Sequence, residues 1–206
     1  DSRTSINIGY EFFRDRRTSD RGITSFRGRP ADVPSGTYYG DPKQAFVRAN
    51  VNVISGSIER LVGDAILRSR THYGNYDRGY QNFVPGVANT AGTLVTLTAY
   101  NNATRRRNIF NQTDINYKLR TGRVTHTLVS GTEFGRQSTE NLRKTGYFNN
   151  TSTSIQVPFR DPRTTTPVTW RQSATDADNN LRLNLGAGFV QDQIRSEEHT
   201  SELQSH

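Results

Sequence analysis

Arg68, Arg70 and His72 occupy alternate positions, separated by Ser69 and Thr71. In an extended strand that spacing places all three on one face. Tyr76, Arg78, Tyr80 and Phe83 follow shortly afterwards, and Arg105, Arg106 and Arg107 stand where the chain returns. A guanidinium stays charged, forks onto anionic oxygens and stacks on aromatic rings. A vestibule lined with such groups concentrates anions and speeds their capture. The chemistry is noncovalent recognition of an anion.

Two other uses compete for the same residues. Arg68 and Arg70 could pair with Glu59, Asp114 or Glu133 along a solvated wall. The Arg105–Arg107 run could instead hold lipopolysaccharide phosphates at an outer rim, and Arg14, Arg16, Arg17, Arg27 and Arg29 share that ambiguity. Trp170 and Arg171 offer either a stacking surface or packing within their own segment. Catalytic and metal-bound chemistry find no support. Cysteine is absent, which removes thiolate nucleophiles and cysteine-held zinc. His72 and His126, the histidines before the tail, have no metal-site spacing. No nucleophile elbow, phosphate loop or catalytic acid pair occurs.

The elements that must carry these residues alternate apolar and polar side chains at period two. They span 4–14, 44–61, 65–76, 106–119, 124–137 and 179–194. Ile6, Ile8, Tyr10 and Phe12 oppose Ser5, Asn7, Gly9 and Glu11. Val47, Ala49, Val51 and Val53 oppose Phe46, Arg48, Asn50 and Asn52, and Leu67, Ser69, Thr71 and Tyr73 oppose the basic row. The same contrast recurs at Ile109–Leu119 and at His126–Phe134. In the last segment it sets Leu181, Leu183, Leu185, Ala187 and Phe189 against Arg182, Asn184, Gly186, Gly188 and Asp192. An Arg facing lipid at the bilayer midplane costs roughly 2–4 kcal/mol. The arginine-bearing rows should therefore face a lumen, and the apolar rows lipid.

Gly63-Asp64 and Thr121-Gly122 make tight turns, whereas the connections at 15–43, 77–105 and 138–178 are long. Thr93–Ala99 alternates and reads as a hairpin inside one of them. Compact soluble domains rarely repeat long structureless loops. Transmembrane barrels do, with short periplasmic turns and long outer loops. The expected fold is all-β and antiparallel: a partial transmembrane β-barrel of about six strands in three hairpin-like pairs. An antiparallel sheet with one face on a soluble core is the plainer alternative.

Composition agrees. Hydrophobic content of 32% is thin for a soluble core, but barrel strands show lipid only every second residue. The chain has no methionine and no apolar run long enough for a membrane helix, so it reads as an internal piece of a longer protein. Residues 195–206 (Arg-Ser-Glu-Glu-His-Thr-Ser-Glu-Leu-Gln-Ser-His) resemble a translated sequencing adapter. They are set aside as a non-native tail. Without its three glutamates the remainder is more basic than the whole-chain charge of +8.

Several stretches, in order, resemble the TonB-dependent outer-membrane receptors, and within them the catecholate-siderophore branch. They include Asp20-Arg-Gly-Ile-Thr-Ser-Phe-Arg-Gly-Arg-Pro30, Tyr39-Gly-Asp-Pro42, Tyr80-Gln-Asn82 and Ala99-Tyr-Asn-Asn-Ala-Thr-Arg-Arg-Arg-Asn108. Phe110-Asn-Gln-Thr-Asp114, Gly131-Thr-Glu-Phe-Gly-Arg136, Thr145-Gly-Tyr-Phe-Asn-Asn150, Arg171-Gln-Ser173 and Phe189-Val-Gln-Asp192 continue it across 1–194. The resemblance implies a plugged barrel in the bacterial outer membrane that imports ferric siderophore using energy from TonB. Neither the plug nor the TonB-contacting motif is present in this sequence. It implies no enzyme activity and no cofactor, since catecholate oxygens already fill the iron coordination sphere. The ligand is then bulky, aromatic and anionic, which suits Arg68, Arg70, His72, Tyr76, Arg78, Tyr80, Phe83, Arg105, Arg106 and Arg107 as its contacts. Lipid and lipopolysaccharide are the surrounding partners. A passive porin is the nearest rival. A soluble basic β-protein binding nucleic acid is a weaker one, because strand aromatics lie opposite the charges rather than among them.

Overall fold

The computed structural model describes residues 3–196, and all regular structure there is β. In chain order the strands are β1 (Thr4–Arg17), β2 (Ser25–Phe26), β3 (Arg29–Pro30), β4 (Phe46–Val62) and β5 (Ala65–Ala88). Then come β6 (Leu94–Thr121), β7 (Val124–Phe148), β8 (Ser154–Pro158), β9 (Val168–Arg171) and β10 (Asp178–Ser196). The long strands pair antiparallel in the order β1-β4-β5-β6-β7-β10, leaving β1 and β10 as open edges. The molecule is thus an all-β antiparallel wall, an unclosed part of a barrel. Arg195 and Ser196 of the tail extend β10 opposite Thr125 and Val124; the rest of the tail lies outside the described residues.

Two residues join β4 to β5 and β6 to β7. Their glycines, Gly63 (φ 61°) and Gly122 (φ 62°), sit in the left-handed region. Tight hairpin turns need that conformation, and glycine adopts it without a Cβ clash. The opposite, loop-bearing end differs from the sequence expectation. Residues 77–105 do not form a structureless connection. Instead β5 runs on to Ala88 and β6 begins at Leu94. The link is short, with Asn89 Oδ1 accepting the N–H groups of Thr93 (2.8 Å) and Leu94 (3.1 Å). The alternation at Thr93–Ala99 does mark this hairpin. The other two long connections carry β2–β3 and β8–β9. With 28 residues, β6 spans about 90 Å at ~3.4 Å per residue. A tilted strand that crosses a bilayer needs only about 9–11 residues, so β6 is more than twice that length.

Register assigns the faces, because directly paired residues share a side. Arg70 pairs with Gln112 and Ser57; Gln112 pairs with Glu133, and Glu133 with Ala187. This row belongs to the inner face. Ile8, Gly56, Thr71, Asn111 and Phe134 form a row of the outer face. Ile6, Ile8, Tyr10, Ile54, Ile58, Leu67, Tyr73, Ile109, Ile115 and Phe134 are exposed on that outer side. Four of the six expected face assignments hold.

Two are corrected. In β10 the row Leu181, Leu183, Leu185, Ala187 and Phe189 lies on the inner face, and Arg182, Asn184, Gly186 and Gly188 on the outer. The cause is local. Gly131 and Gly135 of β7 have no side chains, and Phe189 and Leu185 occupy the space beside them. His126 Nδ1 lies 2.8 Å from Asp192 Oδ2 on the other side and helps fix that register. In β4, Val47, Ala49, Val51 and Val53 also turn inward, opposite Tyr80, Arg78, Tyr76 and Gly74. They stand above the apolar band, at a level where the opposite, outward row is polar (Arg48, Asn50, Asn52).

The loop end has its own small core: Tyr39, Ala45, Phe83, Val95, Leu97, Ala99, Phe148 and Val157 are buried together, with Trp170 packed against them. Gly40 (φ 119°) makes this possible, since a Cβ there would fall 2.3 Å from Phe83 Cβ. This core pins the segment 38–45 and strands β8 and β9 to the tops of β5 and β6.

Candidate functional site

In the middle of β6 the inner face is the more sheltered one. Along β6, Arg105, Arg107 and Ile109 are exposed, while Arg106, Asn108 and Phe110 are half-buried. Asn7, Ser55, Arg70, His72, Phe110 and Glu133 line a hollow of about 500 Å³ on that face.

Arg68 and Arg70 are already engaged. Arg68 contacts Glu59 through two nitrogens, Nη2 at 2.7 Å and Nε at 2.8 Å from Oε2. Arg70 Nη2 lies 3.5 Å from Oδ1 of Asp114, whose side chain is 7% exposed. The wall-pairing alternative therefore describes both. Higher up, Tyr76 pairs with Arg106 across β5 and β6, and Arg78 with Thr104. Arg106 Nε donates to Thr139 Oγ1 at 3.2 Å. Neither Arg78 nor Arg106 forms an ion pair among the described residues. Of the expected site residues on this face, Arg78 and Arg106 are thus the arginines without an ion-pair partner, and both stand above His72.

Above them lies an aromatic and cationic cluster. Tyr80 and Tyr100 meet edge to face, with centroids 5.8 Å apart. Arg21 stands 5.6 Å from the Tyr80 centroid and 5.8 Å from that of Tyr100, and its Nη2 donates to Tyr100 Oη at 2.8 Å. Arg143 lies 4.2 Å over the Tyr100 ring. Asp176 holds Arg143 in place, with Nε and Oδ1 3.3 Å apart. Burial opposes the charge on Asp176. The Ser173 N–H (2.9 Å) and the Thr145 hydroxyl (2.8 Å) outweigh it and keep its carboxyl below the usual range. Nearby, burial first and then Asp20 and Asp41 push the Tyr38 phenol up to about 12.

The ten residues expected from sequence therefore divide. Arg68, Arg70, His72, Tyr76, Arg78, Tyr80 and Arg106 share the inner face. Arg105 and Arg107 point to the outer face, paired with Asp77 and Asn75. Phe83 is 2% exposed inside the loop-end core, where Trp170 packs against it at 6.4 Å. Packing, not an open stacking surface, is the observed use of Trp170. Arg21, Tyr100 and Arg143 were not anticipated. Arg143 belongs with Tyr80 only through the register Tyr80–Asn102–Arg143, which alternation alone does not fix. Arg21 arrives from the β1–β4 connection and left no local sign. Among the described residues no group of three or more His, Asp or Glu side chains is placed to hold a metal.

No protein-family model matches the sequence, and no curated protein matches it. Solved structures do. The ferric preacinetobactin receptor BauA of Acinetobacter baumannii superposes with a TM-score of 0.73 at 12% identity, over 95% of this chain and 29% of that one. The siderophore receptor PiuA of the same organism gives 0.69 at 15%, over 95% and 38%. The ferric-catecholate import receptor Fiu of E. coli K12 gives 0.69 at 16%, over 93% and 29%. At such identities the likeness establishes the fold. The chain spans about a third of the length of these receptors.

Proposed function

We propose that residues 1–194 form part of the barrel wall of a bacterial outer-membrane receptor that imports ferric siderophore, with 195–206 a tail foreign to it. One observation carries the reading. A single face gathers Tyr76, Arg78, Tyr80, Arg106, Tyr100 and Arg143 above Arg68 and Arg70, which are ion-paired within the wall. The unmatched guanidiniums supply charge for an anionic chelate, and the tyrosine rings supply faces for its aromatic groups. Iron is cargo, enclosed by the chelator, so the wall needs no metal ligand and no catalytic group. The solved receptors that share the fold bind ferric preacinetobactin or ferric catecholate. We assign this chain a catecholate-type ligand because stacking and anion pairing are what its inner face offers. Closure of the barrel, a plug and energy from TonB belong to parts beyond this segment.

The complete gene should restore growth of an iron-starved, receptor-deficient host on a ferric catecholate, and not on hydroxamate or citrate chelates. Rescue by hydroxamate alone would overturn the ligand class. Absence of any plug upstream would replace the receptor by a passive porin.

A further inference from the structure

The apolar band of the outer face is broken at its centre. Rising from the turn, the outward side chains of β6 are Leu119, Tyr117, Ile115, Thr113, Asn111 and Ile109, so two polar residues interrupt an exposed apolar series. Register carries the break sideways. Thr113 pairs with Ser69 on β5 and Thr132 on β7, and Asn111 pairs with Thr71. At the same level β1 and β4 present Ile6, Ile8 and Ile58. Asn111 Nδ2 donates to Ser69 Oγ (3.1 Å) and Thr71 Oγ1 (2.9 Å). Its Oδ1 accepts from Thr113 Oγ1 (3.1 Å), which lies 2.9 Å from Ser69 Oγ. The network is not closed. Asn111 Oδ1 keeps a second lone pair, and among the described residues the Thr132 hydroxyl has no hydrogen bond. A hollow of about 260 Å³ adjoins the network, lined by Ile6, Ile8, Gly56, Ile58, Ser69 and Thr71.

We infer that this patch is a homodimer interface inside the membrane, covered by the same patch of a second copy of the chain. The inference rests on the membrane placement in the proposed function and is independent of the ligand inside. Hydrocarbon gives an amide or hydroxyl no partner, whereas polar side chains at that depth hydrogen-bond across a protein contact. Three features select a second copy. Ser, Thr and Asn each donate and accept, so the patch complements itself. The two rows through Asn111 and Thr113 carry no charged side chain on any of the six long strands, although the whole chain bears +8. Two such surfaces meet without like-charge repulsion. A two-fold axis along the membrane normal brings identical residues to one depth, a match that an unrelated protein would reach only by chance. Leu67, Tyr73, Ile109, Ile115 and Phe134 are exposed around the hydroxyls and form an apolar rim that seals them.

The test uses the complete receptor, labelled with one fluorophore per copy and reconstituted at low density in phosphatidylcholine vesicles. Stepwise photobleaching counts the copies, and heat-modifiable mobility checks folding. The unmodified receptor should bleach mainly in two steps. Asn111→Leu should weaken the dimer about tenfold, from about threefold for each hydrogen bond between copies in lipid, lost twice by symmetry. Thr132→Leu is the second variant and should act in the same direction. Ile6→Leu, at the same depth on β1, should leave the dimer intact. A short membrane-permeant bis-maleimide should link two copies of Thr113→Cys in a cysteine-free background, and not two copies of Ile6→Cys. Monomers throughout, unchanged dimers in both folded Leu variants, or equal linking at Thr113 and Ile6 overturns the interface. So does linking of Thr113→Cys in native membranes to a different protein alone. Ferric-catecholate binding is measured in the same vesicles. Its absence beside normal dimers would refute the proposed ligand and leave the interface standing. Recovery of the folded receptor outside the vesicles would remove the membrane placement and the interface with it.

Discussion

Arg106 and Arg107 are consecutive in β6 and serve opposite sides of the wall. Arg106 pairs with Tyr76 and Thr139, half-buried on the inner face; Arg107 pairs with Asn75 and Ser138, exposed on the outer. A run of three arginines is thus not one patch. If the proposed function holds, only the inner one meets the ligand, and Arg106→Ala should weaken ferric-catecholate binding by about 1.5–3 kcal/mol, the range for a hydrogen bond to a charged group. That is roughly ten- to a hundredfold in Kd. Arg107→Ala should leave Kd unchanged. Quenching of intrinsic fluorescence on titration would read both, and equal effects would refute the division.

Arg70 should behave differently from Arg106. Its partner Asp114 is 6% exposed, and removing the guanidinium leaves a sheltered carboxylate unpaired, which is costly. Arg70→Ala should therefore reduce the yield of folded barrel, with little change in ligand affinity for the protein that does fold. Membrane yield and Kd, measured on the same samples, separate the two effects.

Asp176 fixes Arg143 against Tyr100 and carries a pH dependence. Its carboxyl titrates below the usual value in the folded protein, so the unfolded form takes up a proton first as pH falls. The stabilisation is complete above about pH 3.9, the ordinary Asp value, and is lost as pH drops through the lower folded one. Proteolysis of residues 171–178 should be constant from neutral pH to about 5 and should rise only under stronger acid. Asp176→Asn should remove the acid step. A step near neutrality would contradict the assignment.

These relationships were unequally legible in the sequence. Alternation found six of the strands and both tight turns, because a strand with one apolar side writes its period directly. It placed Arg70 and His72 on the inner face correctly. It misplaced Leu181–Phe189, since the side of an apolar row depends on what the neighbouring strand leaves open. Here that is the space beside Gly131 and Gly135. It also misplaced Val47–Val53, because the rule of apolar outward holds only along the apolar band and fails above it, where the outward row is Arg48, Asn50 and Asn52. The upper halves of β5 and β6 were hidden for the same reason. Above the apolar band, mixed side chains suffice and backbone pairing holds the hairpin.

Gly131 should be intolerant of a side chain. A Cβ there would lie 2.6 Å from both the Phe189 ring and the backbone oxygen of Thr113, and the latter cannot swing away. Gly131→Leu should cost about 1–3 kcal/mol or more through overpacking and loosen β7 from its neighbours. Gly56, with Asn7 O at 4.0 Å as its nearest contact, should accept Ala. Heat-modifiable mobility should be lost only in the first. Loss in both, or in neither, would show that the β6–β7–β10 packing is not as described.

Tyr38 offers an alkaline counterpart to Asp176. Its hydroxyl donates to Ser19 O at 2.9 Å, and burial with Asp20 and Asp41 raises its pKa to about 12. The raised value means that the folded state favours the neutral phenol. The stabilisation is therefore present below the ordinary value near 10 and disappears as pH rises towards about 12. Loss of the phenol proton would free Ser19, whose hydroxyl donates to Gln81 O at 2.7 Å and ties the β1–β4 connection to β5. A spectrophotometric titration of tyrosinate should lose its highest step in Tyr38→Phe. In the unmodified protein, protection of residues 19–44 from proteolysis should fall over that same interval. A highest step that survives the substitution would place the tether elsewhere.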